Sequence, residues 1–162
     1  MLEDSETDLN QEKLYQSPRV KNSSQDRYVT LLREAILNGD DESLAMQIKE
    51  NDCLKSSMPR ISSSGRTTMA RMPRGAHLTL AEGEFNRFYI RAVCRKAISE
   101  GREIEVYRAK QVENPRPESQ ALIGASLDPN ELLDDLRKNV GVDTALGVPA
   151  GPNSGLSVRM TT

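Results

Sequence analysis

The chain has 162 residues and a formal net charge of -2, with two cysteines, one histidine, no tryptophan, two phenylalanines and four tyrosines. Two cysteines exclude a disulfide scaffold, one histidine excludes paired-histidine catalysis, and no run approaches the roughly 18 consecutive apolar residues of a membrane-spanning helix. Leu, Ile, Val and Phe number 17, 7, 9 and 2, or 35 of 162 residues, just above the composition at which chains fail to build a core.

The near-neutral sum hides a polarised distribution. Residues 1–54 hold 12 acids and 6 bases, residues 55–96 hold 9 bases and 2 acids, and residues 97–162 hold 7 bases and 10 acids. Such a pattern has two outcomes. Either the acidic flanks fold over the basic centre, or the centre is a face for nucleic acid or an acidic partner.

Residues 1–24 are rich in acids, Ser, Asn and Gln. Six apolar residues bury too little to offset the ordering entropy, so the sequence predicts a flexible acidic arm. The N-terminus lacks the apolar core of a signal peptide. Over residues 25–51, Tyr28, Leu31, Leu32, Ala35 and Ile36 recur on one helical face. Asn38-Gly39 ends that helix with a left-handed glycine, and Asp40 or Asp41 caps a second helix carrying Leu44, Ala45 and Ile48. The result is a short helical hairpin.

Residues 52–78 have no helical or strand period and contain Ser, Gly, Pro and Arg throughout, which reads as a basic linker or loop. Thr79-Leu80-Ala81-Glu82 is a capping box that opens a long central helix ending before Gly101. Its apolar side is wider than one surface stripe, so it is expected to be touched on two sides. Arg87, Arg91 and Arg95 recur every four residues on it as a ridge.

Ile104 and Val106 alternate with Glu103, Glu105 and Tyr107, which gives one convincing strand. A lone strand leaves both edges unpaired, so a partner strand is sought at Ala121–Ile123, at Leu156–Val158 or on another molecule. Asp128-Pro129-Asn130-Glu131 reads as N-cap, first-turn proline and third-position acid, opening a helix with Leu132, Leu133, Leu136 and Val140 that Gly141 stops. Residues 79–140 thus form the central helix, strand and C-terminal helix, and residues 141–162 a Gly/Pro-rich extended tail.

No catalytic constellation emerges. His77 sits directly before a helix start, and Cys94 lies among apolar helical neighbours where packing explains it. A zinc site needs about four Cys or His ligands, and the chain has three, widely spaced. SSSGRTT lacks the phosphate-loop pattern, and prolines in GVPAGPNSG remove the amide donors a phosphate cradle uses. No cofactor is expected.

The sequence therefore predicts a mainly α protein with minor β. It predicts a non-catalytic binding module whose basic segment contacts nucleic acid or an acidic protein surface through Arg60, Arg66, Arg71, Arg74, Arg87, Arg91, Arg95 and Lys96. The alternative is a structural subunit of a larger assembly, such as a phage particle, with arms lying on neighbouring subunits. A thin interior favours homo- or hetero-oligomers, and free thiols favour the cytoplasm. No membrane is expected.

Overall fold

A computed structural model of the protein describes residues 1–11, 13–140 and 154–161. The chain forms two compact units, one from Met1–Tyr15 with Gly83–Thr162 and the other from Gln16–Glu82. The fold is mainly helical with a few short strands, as the sequence predicts.

In the second unit, helices α2 (Gln25–Asn38) and α3 (Asp41–Glu50) form the expected hairpin. Tyr28, Leu31, Leu32, Ala35, Leu44, Ala45 and Ile48 are buried along their facing stripes. Asp40 caps α3 reciprocally: its carboxylate accepts from the Ser43 backbone N–H at 2.8 Å, and its own N–H donates to Ser43 Oγ at 2.9 Å. Gly39 departs from the expected left-handed conformation, with φ -132° and ψ -148°. Glycine is needed there for space, because a Cβ would run into Ser43 Oγ and break the cap.

The segment read as a linker over residues 52–78 is instead mostly a β-hairpin. Strands β1 (Ser57–Ile61) and β2 (Thr67–Arg71) pair antiparallel. Its side chains show no polar/apolar alternation because most of both faces meets solvent, so the usual strand signal is missing. Helix α4 (Ala76–Glu100) begins three residues before Thr79. The Gly75 carbonyl takes the Thr79 N–H at 3.0 Å, which places Thr79 within the first turns rather than at the cap.

In the first unit, Ile104–Arg108 is strand β3, with β4 (Ser126–Leu127) and β5 (Leu156–Met160) antiparallel on either side of it. The partner strand is thus the Leu156–Val158 candidate, whereas Ala121 ends helix α5 (Pro117–Ala121). Of the predicted tail, residues 141–153 lie outside the described residues. Helix α6 (Pro129–Lys138) opens as expected, with Asp128 accepting from the Asn130 N–H at 2.7 Å and Pro129 in its first turn. One apolar cluster joins α4 (Ile90, Cys94, Ala97), the sheet (Ile104, Val106, Leu156, Val158) and α6 (Leu132, Leu133, Leu136).

Gly155 leads into β5 with φ +63°, and a Cβ there would stand 2.5 Å from the Lys110 carbonyl oxygen and 3.0 Å from Val112 Cγ2. Its own carbonyl accepts from the Ala109 N–H at 2.8 Å. Gly155→Ala is expected to cost about 2 kcal/mol or more, combining left-handed strain with displaced backbone. Urea unfolding checks this: an unchanged midpoint would mean the loop yields freely.

The expected arm over residues 1–24 is also corrected. Leu2–Asn10 is helix α1, and Val20 is buried in a bridge to Leu54. The buried side of α1 is Asp4, Ser5 and Asp8 rather than an apolar stripe, so a search for hydrophobic period passes over it.

Candidate nucleic-acid interface

The eight predicted basic residues separate into two groups with opposite fates. Arg60, Arg66, Arg71 and Arg74 are all exposed, and none makes an ion pair among the described residues. Residues 53–81 contain five bases and no acid, so nothing local along the chain neutralises them. Arg60 and Arg71 lie on β1 and β2, Arg66 closes the turn between the strands, and Arg74 follows β2.

The turn has a clear local origin. Gly65 N–H donates to the Ser62 carbonyl at 2.9 Å and Gly65 has φ +78°. A tight turn followed by a left-handed glycine is the usual three-residue hairpin closure. Ser62 N–H donates to the Arg66 carbonyl at 2.9 Å, and Arg66 N–H returns a bond to Ser62 Oγ at 3.1 Å. The register pairs Ser57 with Arg71, Met58 with Ala70, Pro59 with Met69, Arg60 with Thr68 and Ile61 with Thr67. Alternation then puts Pro59, Ile61, Met69 and Arg71 on one face and Met58, Arg60, Thr68 and Ala70 on the other. Met58 and Ala70 are half-buried, whereas Arg60 and Thr68 face solvent on the same side.

On α4 the ridge is claimed by the protein itself. Arg91 is only 1 % exposed. It grips Asp8 of α1 with both terminal nitrogens, at 2.5 and 2.9 Å, and reaches Asp4 at 3.3 Å. Its guanidinium also lies 5.3 Å from the centre of the Phe88 ring. Arg95 pairs with Glu3 and, at 3.5 Å, with Asp4. Arg137 of α6 adds a bond to Asp4 at 2.8 Å. Burial alone would raise the Asp4 carboxyl, but the Arg137 hydrogen bond and the charges of Arg91, Arg137 and Arg95 outweigh it and hold Asp4 below its ordinary range. Arg87, also buried, donates to the carbonyls of Leu136 and Asn139 at 2.6 and 2.8 Å, satisfying the C-terminal end of α6. Lys96 alone of this group stays exposed, within 3.9 Å of Glu100.

The acidic residues of α1 are the feature that hydrophobic pattern-reading missed. A signal was present: Asp4 and Asp8 are four apart, matching the four-residue spacing of Arg91 and Arg95. Glu84 of α4 is buried, its Oε2 finds no hydrogen-bond partner among the described residues, and burial pushes its carboxyl up to about 7, with Arg87 opposing and Asp8 reinforcing the shift.

This has a pH consequence with a definite sign. Between about pH 4.5 and 7 the folded protein holds a proton on Glu84 that the unfolded chain has released. Stability from this group is therefore full below pH 4.5, falls as pH rises to 7 and is flat above. The shift corresponds to a loss on the order of 3 kcal/mol across that window. Glu84→Gln is expected to remove this slope. Asp4, with its lowered carboxyl, acts in the opposite sense and only at more acid pH. Melting temperatures of parent and variant from pH 4.5 to 8 check this, and parallel curves would show that Glu84 is already ionised throughout.

Among the described residues no group of three or more His, Cys, Asp or Glu is placed to hold a metal ion. No helix there is long and apolar enough to cross a membrane. No protein-family model matches the chain, and no curated protein or solved structure does either.

Proposed function

We propose that this protein is a non-catalytic module that binds nucleic acid through the basic hairpin of residues 55–74. The observation that carries this reading is the contrast between the two arginine groups: those of α4 have carboxylate or carbonyl partners, while Arg60, Arg66, Arg71 and Arg74 stand in solvent with none among the described residues. Arginine's planar fork suits phosphate oxygens. Ser62, Ser63, Ser64, Thr67 and Thr68, interleaved with the arginines, supply neutral donors of the kind that position a protein on a phosphate backbone. A two-stranded ribbon is also of a size that the major groove of a duplex admits.

The test is fluorescence anisotropy with a labelled duplex of generic sequence. The parent is expected to bind at low salt, and the R60A/R66A/R71A/R74A variant to lose binding while melting at the parent's temperature. A variant that binds as the parent does would end this reading. Binding to a polyglutamate carrier but not to duplex would assign the hairpin to an acidic protein instead.

A further inference from the structure

The hairpin has a second face whose composition the phosphate contacts do not explain. Pro59, Ile61 and Met69 lie together on it, Pro59 directly opposite Met69 and Ile61 two positions further along the same strand. All three are exposed, Ile61 at 72 % and Met69 at 66 %. Two large apolar side chains this open at the end of a hairpin are a feature that marks an interaction surface.

Resting on the proposed function, we infer that this apolar face meets the bases of double-stranded nucleic acid inside a groove, while the arginines hold the flanking phosphates. Charge selects the occupant. Arg71 shares the apolar face, Arg60 lies between Pro59 and Ile61 on the reverse side, and Arg66 closes the turn just beyond. An apolar partner, including a second copy of this cationic hairpin, would leave those guanidinium groups desolvated or facing their own kind. A duplex groove supplies both requirements at once, with phosphates along its walls and base edges, thymine methyl groups and base steps on its floor. A duplex is favoured over a single strand because residues 53–81 contain no Phe, Tyr or Trp, and aromatic side chains are what single-strand binders use as stacking platforms. Ile and Met are the kind of side chain that presses against base edges or wedges between base steps.

The inference separates from the phosphate reading by its salt signature, because apolar contacts release no counterions. Ile61→Thr with Met69→Thr keeps exposed strand positions and a strand-compatible residue. This double variant is expected to bind duplex about tenfold more weakly, with the slope of log affinity against log salt unchanged. Affinity for a single strand of the same length should not move. R60A/R66A/R71A/R74A should instead flatten the slope. If the arginine variant loses binding but the threonine variant matches the parent on duplex, the groove contact is overturned and the phosphate reading stands. If the arginine variant binds normally, the phosphate reading itself fails. If the threonine changes alter the sedimentation mass of the free protein, the apolar face is a self-association surface and the inference is overturned.

Discussion

Asp8→Asn is expected to destabilise the protein by about 3 kcal/mol. Asp8 supplies two of the three carboxylate contacts to Arg91, and both side chains are withdrawn from water. Removing one partner of a buried pair strands the other charge in a poor dielectric, a loss of about 3–5 kcal/mol. The lower end applies because Asp4 remains near Arg91 at 3.3 Å. Arg91→Met should be at least as damaging, since it strands the Asp8 carboxylate, whose ion pair among the described residues is with Arg91, and leaves only Asp4 held by Arg137. Chemical unfolding measures the total, and hydrogen exchange at the Leu2–Asn10 amides reports whether α1 is released first. An Asp8→Asn protein as stable as the parent, with α1 amides equally protected, would show that this pair does not hold the helix.

The second large effect is on the duplex affinity that the proposed function assigns to the hairpin. Four phosphate contacts release about four counterions, so log affinity should fall against log salt with a slope near -3.6. Between 50 and 200 mM salt that slope amounts to a loss on the order of 100-fold. Each single Arg→Ala change on the hairpin should reduce the slope by about one. The same measurement reports on the α4 ridge. If all eight predicted basic residues met phosphate, the slope would approach -7. A value near -3.6 fits a ridge occupied by α1, with Arg91 at 1 % exposure and Arg95 paired to Glu3 and Asp4. A slope near -7 would mean that nucleic acid displaces α1 from Arg91 and Arg95.

Where apolar burial shapes an element, the sequence was a good guide. The stripe from Tyr28 to Ala35, the alternation around Ile104 and Val106 and the run Leu132, Leu133 and Leu136 each identify their element, because side-chain period and backbone period coincide when one side is dry. The capping residues Asp40 and Asp128 were equally readable, since a short carboxylate next to free amides has one good partner. Two elements escaped for opposite reasons. In α1 the buried side is charged, so its stability comes from Arg91 and Arg95, partners 83 and 92 residues away, and not from any local hydrophobic period. In β1 and β2 hardly any side is buried, so the strand pattern of alternating burial never develops.

The amino-acid order alone established that acids flank a basic centre, that the long helix carries arginines every fourth residue and that catalytic groupings are sparse. Whether those arginines face outward or inward was a matter for the folded chain. Coulomb attraction between side chains depends on spatial distance and on how much water lies between them, and neither is written in sequence separation. Folding brings Asp4 and Asp8 onto Arg91 while leaving the hairpin arginines in solvent, and that division turns one broad basic segment into a buried structural clamp and an open candidate interface.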